Sequence, residues 1–138
     1  MGKPITVSAI VEGPIDRVWA FWTGPEHITR WNTAGGGWVC PRAVNDVRPG
    51  GTFSVRMESG DGSEGFDFEG TYSQVDPPNR LEYALSDGRN VVVTFEKEGE
   101  STRVTETFDP DDVYPAELQE QGWQAILDNF AAYVKNGP

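Results

Sequence analysis

Residues 38–109 alternate apolar and polar side chains with a period of two, and short turn sequences interrupt the alternation repeatedly. This period places successive side chains on opposite faces of a β-strand, so that each strand has one apolar face. The turn sequences contain Gly or Pro, as in Asp61-Gly62, and strands joined by such short turns pair antiparallel. The pattern therefore predicts an antiparallel sheet with one covered face and one wet face.

Two short helices are predicted between a first strand, residues 5–12, and this segment. The residues that recur there at i, i+3, i+4 and i+7 are Ile15, Val18, Trp19 and Trp22. Thr23 and Glu26 have the spacing of a capping box, which predicts a second helix over residues 25–31. The three consecutive glycines of residues 32–37 then require a loop.

The chain from about Pro115 to Asn136 favours one long helix. Its apolar stripe consists of Trp123, Ile126, Leu127, Phe130 and Val134. Because Gly122 inside a helix is unfavourable by about 1 kcal/mol relative to Ala, we expect a group of the sheet to approach it closely. One strand, two short helices, six strands and a long helix predict an α+β fold in a single domain over residues 1–138, with a curved sheet wrapped around the last helix.

The charge balance excludes several classes of partner. The chain has 22 acidic and 11 basic residues, a formal net charge of −11. This excess repels phosphate backbones and anionic lipids, so we expect neither nucleic-acid binding nor membrane docking. The N-terminal segment is too short and too polar for a signal peptide. No apolar run approaches the roughly 18 residues of a membrane-spanning helix. We predict a cytoplasmic protein.

The counts of Cys and His limit the chemistry further. Cys40 is the only cysteine and His27 the only histidine, which excludes an intramolecular disulfide and any site with two imidazoles. Glycine-rich phosphate loops, a serine elbow and metal-ligand clusters are also missing from the sequence. We therefore predict no metal, no cofactor and no assigned catalytic residue.

Several groups of residues, in their order along the chain, carry a resemblance to a known family. They are Val18-Trp19-Ala20-Phe21-Trp22-Thr23 with Pro25-Glu26 and Trp31, Arg48-Pro49-Gly50-Gly51-Thr52-Phe53 through Met57, Gly70-Thr71-Tyr72 with Val75-Asp76-Pro77-Pro78 and Leu81, and Gly122-Trp123 with Leu127 and Phe130. Together they resemble the START-like (SRPBCC) helix-grip superfamily, and within it the family related to the C-terminal domain of the heat-shock protein 90 ATPase activator.

The resemblance covers nearly the whole chain and implies the helix-grip fold of a bacterial-type, single-domain member. It also implies a cavity between the sheet and the long helix, which the superfamily uses for apolar molecules, and a link to the stress response. The eukaryotic co-chaperone has an additional N-terminal domain that engages the chaperone. We therefore do not expect the activator role to transfer directly.

The predicted ligand-binding residues are mostly aromatic and lie on the covered face of the sheet, on the long helix or beside the glycine loop. They are Trp22, Trp31, Phe53, Met57, Phe68, Tyr72, Tyr83, Glu106, Trp123 and Leu127. Tyr and Trp would give a cavity polar tips that orient an apolar ligand. For Phe53, Met57, Phe68, Tyr72, Tyr83, Trp123 and Leu127, the alternative is ordinary core packing.

Glu106 is the most informative of these positions. The period of two places it on the covered face together with Val104 and Phe108. A carboxylate is unfavourable there unless it is paired, hydrogen-bonded or protonated. One interpretation is a polar anchor for a ligand. The alternatives are a bulge that turns Glu106 to solvent, or a Tyr hydroxyl that satisfies it inside the protein.

Three other positions have competing interpretations. We predict that Cys40 is a small buried hydrophobe rather than half of a nucleophilic pair with His27, and that His27 is a surface or capping residue. The glycine loop is either a lid at the cavity mouth or an ordinary connection.

Three functions remain. The first is non-catalytic binding of a small hydrophobic or amphipathic molecule. The second is a co-chaperone-like module that binds a chaperone or another protein, and the third is a cyclase-like or hydrolase-like enzyme that uses Glu106. We place binding first, because an enzyme needs a second polar group in the same pocket.

Overall fold

The structure is a computed structural model that describes residues 2–33 and 35–137. Within these residues, seven strands and three helices follow one another in the order that the sequence predicts. The elements are β1 (Ile5–Val11), α1 (Ile15–Thr23), α2 (Pro25–Trp31), β2 (Val39–Asn45), β3 (Thr52–Glu58), β4 (Gly65–Asp76), β5 (Arg80–Leu85), β6 (Asn90–Glu98), β7 (Ser101–Phe108) and α3 (Ala116–Asn136). The ends of the predicted domain, Met1 and Pro138, lie outside the described residues.

The strands form one curled antiparallel sheet in the order β1-β7-β6-β5-β4-β3-β2. Strands β2 to β7 pair with their neighbours in sequence, and β1 returns to the far edge beside β7. The long helix α3 lies on the inner face, where Trp123 contacts Phe68 and Phe108. The predicted α+β helix-grip fold is confirmed.

The alternation of β7 shows how the sequence divides the two faces of the sheet. Thr102, Val104, Glu106 and Phe108 are buried, and the residues between them are half-buried. Strands β3, β5 and β6 alternate in the same way. The side chains at every second position of these strands therefore form the inner face of the sheet, and α3 covers part of that face.

The second short helix has the predicted bounds but not the predicted cap. The Thr23 hydroxyl donates a hydrogen bond to the carbonyl oxygen of Trp19 at 2.9 Å, and the cap of α2 is Gly24, with no side-chain hydrogen bond. The capping-box prediction is wrong, because α1 continues through Thr23 and the hydroxyl bonds back to the preceding turn.

The loop of residues 32–37 joins α2 to β2, and Ala34 lies outside the described residues. Gly35, Gly36 and Gly37 have φ angles of 86°, 69° and 85°, a region in which a side chain would strain the backbone. Trp38 follows these glycines, and the centroid of its ring lies 6.2 Å from that of Phe66. The lid function of this loop stays a prediction.

The prediction that a group of the sheet closely approaches Gly122 is wrong. A Cβ atom built at Gly122 meets nothing within 4 Å, although the residue is in the interior of α3. The contact with the sheet comes one residue later, where Trp123 stacks on Phe108. Gly122 therefore occupies a position where a side chain has room.

We expect Gly122→Ala to raise the free energy of unfolding by roughly 0.5 to 1 kcal/mol, because Ala restricts the unfolded chain and favours the helix. Urea denaturation measures this change. In the matched control Gly70→Ala, the added Cβ would lie 2.7 Å from the Phe53 ring and 2.8 Å from the carbonyl oxygen of Ala84. That variant should lose more than about 1 kcal/mol. A destabilised Gly122→Ala protein would contradict the open space beside α3.

Candidate functional site

A cavity of about 440 Å³ lies between the inner face of the sheet and the helices α2 and α3. This volume falls in the range of about 300–1,000 Å³ that is typical of small-molecule sites. The described residues that line it are Trp22, Ile28, Trp31, Asn32, Asn45, Phe53, Val55, Met57, Phe66, Phe68, Tyr72, Tyr83, Arg89, Glu106, Asp111, Tyr114, Gln119, Trp123 and Ile126. Most of these side chains are aromatic or aliphatic.

Nine of the ten predicted site residues lie in this lining. They are Trp22, Trp31, Phe53, Met57, Phe68, Tyr72, Tyr83, Glu106 and Trp123. Leu127 does not line the cavity, because it is fully buried one turn farther along α3. The stripe of α3 thus faces the cavity at Trp123 and Ile126 and enters the closed core at Leu127 and Phe130.

Aromatic rings give the cavity a stiff wall. The ring centroid of Phe53 lies 5.5 Å from that of Tyr72 and 4.9 Å from that of Tyr83. Trp123 stacks on Phe108 with centroids 3.8 Å apart and planes at 10°. Rings in mutual contact have few rotamers, so this wall is preorganised for a flat or extended apolar molecule.

Glu106 is a buried carboxyl in this wall. It is 5% exposed, and its partners in register are the aliphatic residues Val7 on β1 and Val93 on β6. No hydrogen bond joins its carboxyl group to any described residue. Among the described residues, every polar side-chain atom that is inaccessible to solvent has a hydrogen-bond partner. Since the Glu106 carboxyl has none, it must be accessible from the cavity that it lines. Neither a bulge to solvent nor a Tyr partner accounts for it.

The surroundings of Glu106 determine its protonation. Burial raises the pKa of Glu106 from 4.5 to about 8, so the carboxyl is mostly protonated at neutral pH. Tyr83 lies near it, and burial together with the charge of Glu106 holds the pKa of the Tyr83 hydroxyl well above its usual value. The site therefore contains a carboxylic acid and a phenol that are both neutral at pH 7.

Tyr72 is held by a chain of hydrogen bonds. Its hydroxyl donates to Asn45 Oδ1 at 2.6 Å, and Asn45 Nδ2 donates to the carbonyl oxygen of Thr23 at 2.8 Å. Burial raises the pKa of Tyr72 to about 12, an effect that the bond to Asn45 opposes. This chain connects the end of α1 to β2 and β4 across the cavity wall and fixes the ring of Tyr72.

A second polar cluster consists of Arg89, Asp111, Tyr114 and Gln119. The Gln119 side chain accepts a hydrogen bond from the amide of Asp111 at 2.9 Å and donates to the carbonyl oxygen of Tyr114 at 2.8 Å. Arg89 Nη1 lies 4.0 Å from Asp111 Oδ2. No sequence pattern predicted this cluster, because its members come from a turn, a loop and a helix that only the fold brings together.

Two further lining residues carried a signal in the sequence. Val55 lies two residues from both Phe53 and Met57 on β3, and Phe66 lies two residues from Phe68 on β4. Each therefore lies on the same face of its strand as the residues that were predicted to line the cavity. With them, Phe53, Val55 and Met57 of β3 and Phe66, Phe68 and Tyr72 of β4 contribute to the wall.

Cys40 and His27 lie outside the cavity lining. Cys40 is 5% exposed and its thiol contacts the carbonyl oxygen of Arg42, while burial raises the pKa of the thiol. His27 Nδ1 bonds the Tyr133 hydroxyl at 2.6 Å, and its ring stacks on Phe21 at 4.2 Å. The prediction that Cys40 is a small buried residue is confirmed. The prediction that His27 is a surface or capping residue is wrong, because its side chain is only 19% exposed and packs against the rings of Phe21 and Tyr133. The polar contacts of Cys40 and His27 are with other residues and not with each other.

Residues 2–33 and 35–137 contain neither a metal-binding cluster nor a membrane-spanning helix. No group of three or more His, Cys, Asp or Glu side chains could hold a metal ion there. In the same ranges, no helix combines the length and apolar character that crossing a membrane requires.

Comparison with protein families places this geometry among known folds. The profile of the family described as Activator of Hsp90 ATPase homolog 1-like protein matches residues 12–135. None of the curated proteins matches the chain.

Solved structures extend the similarity over nearly the whole length. The solution structure of the AHSA1-like protein from Aeromonas hydrophila is 41% identical, with a TM-score of 0.88 over 96% of this chain and 93% of that one. A solution structure from Cytophaga hutchinsonii is 44% identical, with a TM-score of 0.84 over 98% and 94%. A crystal structure from Nitrosomonas europaea shares the fold at 20% identity, with a TM-score of 0.82 over 97% and 95%.

We expect the protein to lose stability between pH 5 and pH 9 because of Glu106. The folded pKa of about 8 lies above the ordinary 4.5, so the contribution of this carboxyl is complete below pH 4.5 and is lost as the pH rises through 8. Glu106→Gln removes this dependence. The unfolding free energy of the variant minus that of the wild type, measured by urea denaturation, should increase by roughly 3 to 4 kcal/mol from pH 5 to pH 9.

The matched control is Glu96→Gln, which removes an exposed carboxylate of β6. Its difference from the wild type should stay within about 0.5 kcal/mol over the same pH range. An equally flat difference for Glu106→Gln would mean that the Glu106 carboxyl is well solvated.

Proposed function

The chain belongs to the family of Activator of Hsp90 ATPase homolog 1-like proteins, and on that premise we propose that it binds a small, mostly apolar molecule in the cavity between the sheet and α3. The observation that carries the proposal is an aromatic cavity of about 440 Å³ whose wall contains the buried Glu106 carboxyl, which has no hydrogen-bond partner among the described residues. A few polar groups in an otherwise apolar wall are typical of a site that orients its ligand.

The lining favours a ligand that is bound by shape and by burial of apolar surface. Rings such as Phe53, Tyr83 and Trp123 offer broad faces, and each aromatic side chain can bury a large apolar area against a ligand. At about 25 cal/mol per Å², the burial of about 200 Å² of ligand surface contributes about 5 kcal/mol before the entropic cost of binding is subtracted. The polar groups would then select among apolar molecules.

A co-chaperone-like role is the second candidate, and one surface feature favours it. Val113, Tyr114 and Leu118 are 78%, 58% and 52% exposed, and they lie close together in sequence at the start of α3. Exposed apolar side chains in one place are common at protein interaction sites. A chaperone or another protein would be the partner of this surface.

An enzyme that uses Glu106 is the third candidate. The hydroxyl of Tyr83 and the carboxyl of Glu106 lie in the same cavity, which meets the requirement for a second polar group. We place this candidate last, because both groups serve a binding site equally well. The cytoplasmic location stays a prediction.

We expect the neutral dye N-phenylnaphthylamine to bind the wild-type protein with increased fluorescence and the variant Ile126→Trp at least about tenfold more weakly, because the larger side chain fills the cavity. Fluorescence titration measures both affinities, and circular dichroism checks the fold. If Ile126→Trp is unfolded, Met57→Trp fills the cavity from the side of the sheet.

The matched control is Ile10→Trp, which adds the same side chain at a position of β1 that is 45% exposed. It should bind the dye as the wild type does. Equal dye binding by a folded Ile126→Trp protein would contradict ligand binding in this cavity.

For the second candidate, Leu118→Ser should weaken the binding of purified Hsp90 at least about fivefold if this surface is the contact. Calorimetric titration with the isolated chaperone gives the affinity. The absence of any binding by the wild-type protein would reject the co-chaperone role.

A further inference from the structure

The charge of the cavity wall limits which ligands it accepts. Among the described lining residues, Arg89 is the only cationic side chain. Its Nε atom lies 2.8 Å from Asp87 Oδ2, and its Nη1 atom lies 4.0 Å from Asp111 Oδ2. Two carboxylates therefore already compensate this guanidinium, which leaves no free positive charge for an anionic ligand.

The carboxyl group of Glu106 in the same wall is not compensated in this way. Glu106 is 5% exposed, has no hydrogen-bond partner among the described residues and is open to the cavity. The formal net charge of −11 adds a long-range attraction for cations. A positively charged group entering the cavity would thus meet a favourable field and an unused carboxyl.

Aromatic rings complete this arrangement. Tyr83 lies close enough to Glu106 for the two groups to interact electrostatically, and Phe53 packs edge-on against the ring of Tyr83. The faces of aromatic rings attract ammonium groups, and the attraction strengthens where water is excluded. A cavity whose lining contains both aromatic rings and a carboxylate can therefore hold an organic cation better than either feature alone.

We infer that this cavity binds an amphipathic amine, whose protonated nitrogen pairs with the carboxylate of Glu106 while its aromatic or aliphatic body lies against the rings of the wall. This inference rests on the proposed binding function and names the chemical class of its ligand. A primary, secondary or tertiary alkylamine with an attached ring or chain fits the description, and a fatty acid does not.

The proton balance of binding follows from the state of the empty site. At pH 7 the Glu106 carboxyl is mostly protonated. When an ammonium ion binds, the proton of the Glu106 carboxyl is released to the buffer. The strands that flank Glu106 present Val7 and Val93, which do not titrate. The other titratable groups of the wall are Tyr83 on β5, Tyr72 on β4, and Arg89, Asp111 and Tyr114 in the connections.

The experiment compares phenylbutylamine, phenylbutanol and phenylbutyrate as competitors of bound N-phenylnaphthylamine. The three share one apolar body and differ in charge. At pH 8 we expect the amine to bind at least about tenfold more tightly than the alcohol, and the carboxylate to bind most weakly. Between pH 6 and pH 7 the affinity of the amine should rise nearly tenfold, because one proton leaves for each ligand bound.

Glu106→Gln should remove the preference for the amine over the alcohol and the pH dependence of amine binding. Glu96→Gln, the exposed control, should keep both properties. Calorimetry of the wild-type protein in two buffers of different ionisation enthalpy should show that binding of the amine releases a proton at pH 7.

The outcomes separate this inference from the proposed function. If the dye binds and Ile126→Trp weakens its binding, but the alcohol equals or exceeds the amine, the cavity binds ligands and the inferred class is wrong. Ligands that bind more tightly as the pH falls would also overturn the inference, since they would use Glu106 as a neutral hydrogen-bond donor. If the dye does not bind in the cavity at all, the proposed binding function fails.

Discussion

The structure depends on one geometric constraint, which is that a single long helix must cover the inner face of seven strands. Seven strands about 4.8 Å apart span about 29 Å, whereas a helix with its side chains is about 10–12 Å wide. The sheet curls around α3, and α1 and α2 cover part of what remains. The uncovered part of the inner face is the cavity, so the cavity is a consequence of the architecture rather than a packing defect.

The aromatic residues reduce the size of this gap without closing it. Trp123 stacks on Phe108, and Phe53 contacts the rings of Tyr72 and Tyr83, so large side chains from α3 and the sheet reach toward one another. Glu106 lies in the same wall, with aliphatic partners in register on both sides. Burial raises the pKa of this carboxyl, so its ionised form is unfavourable in the folded protein.

The strand pattern was sufficient to predict most of this arrangement. Alternation on β7 identified Glu106 as an inward carboxyl, and the same rule placed Phe53 and Met57 in the wall. The helix pattern was less precise, because residues one turn apart share a stripe but meet different surroundings. Trp123 faces the cavity, whereas Leu127 is fully buried, and Gly122 has open space where we expected a close contact.

The sequence by itself determined the fold class, the order of the elements and the face on which each strand residue lies, since these depend on local periodicity and turn chemistry. Only the tertiary structure decided that the cavity stays open and that Glu106 has no hydrogen-bond partner among residues 2–33 and 35–137. It also brought Arg89, Asp111 and Gln119 together, although they come from a turn, a loop and a helix. The physical reason is that space, burial and charge compensation depend on groups that are distant in sequence, and no local pattern records how closely these groups pack.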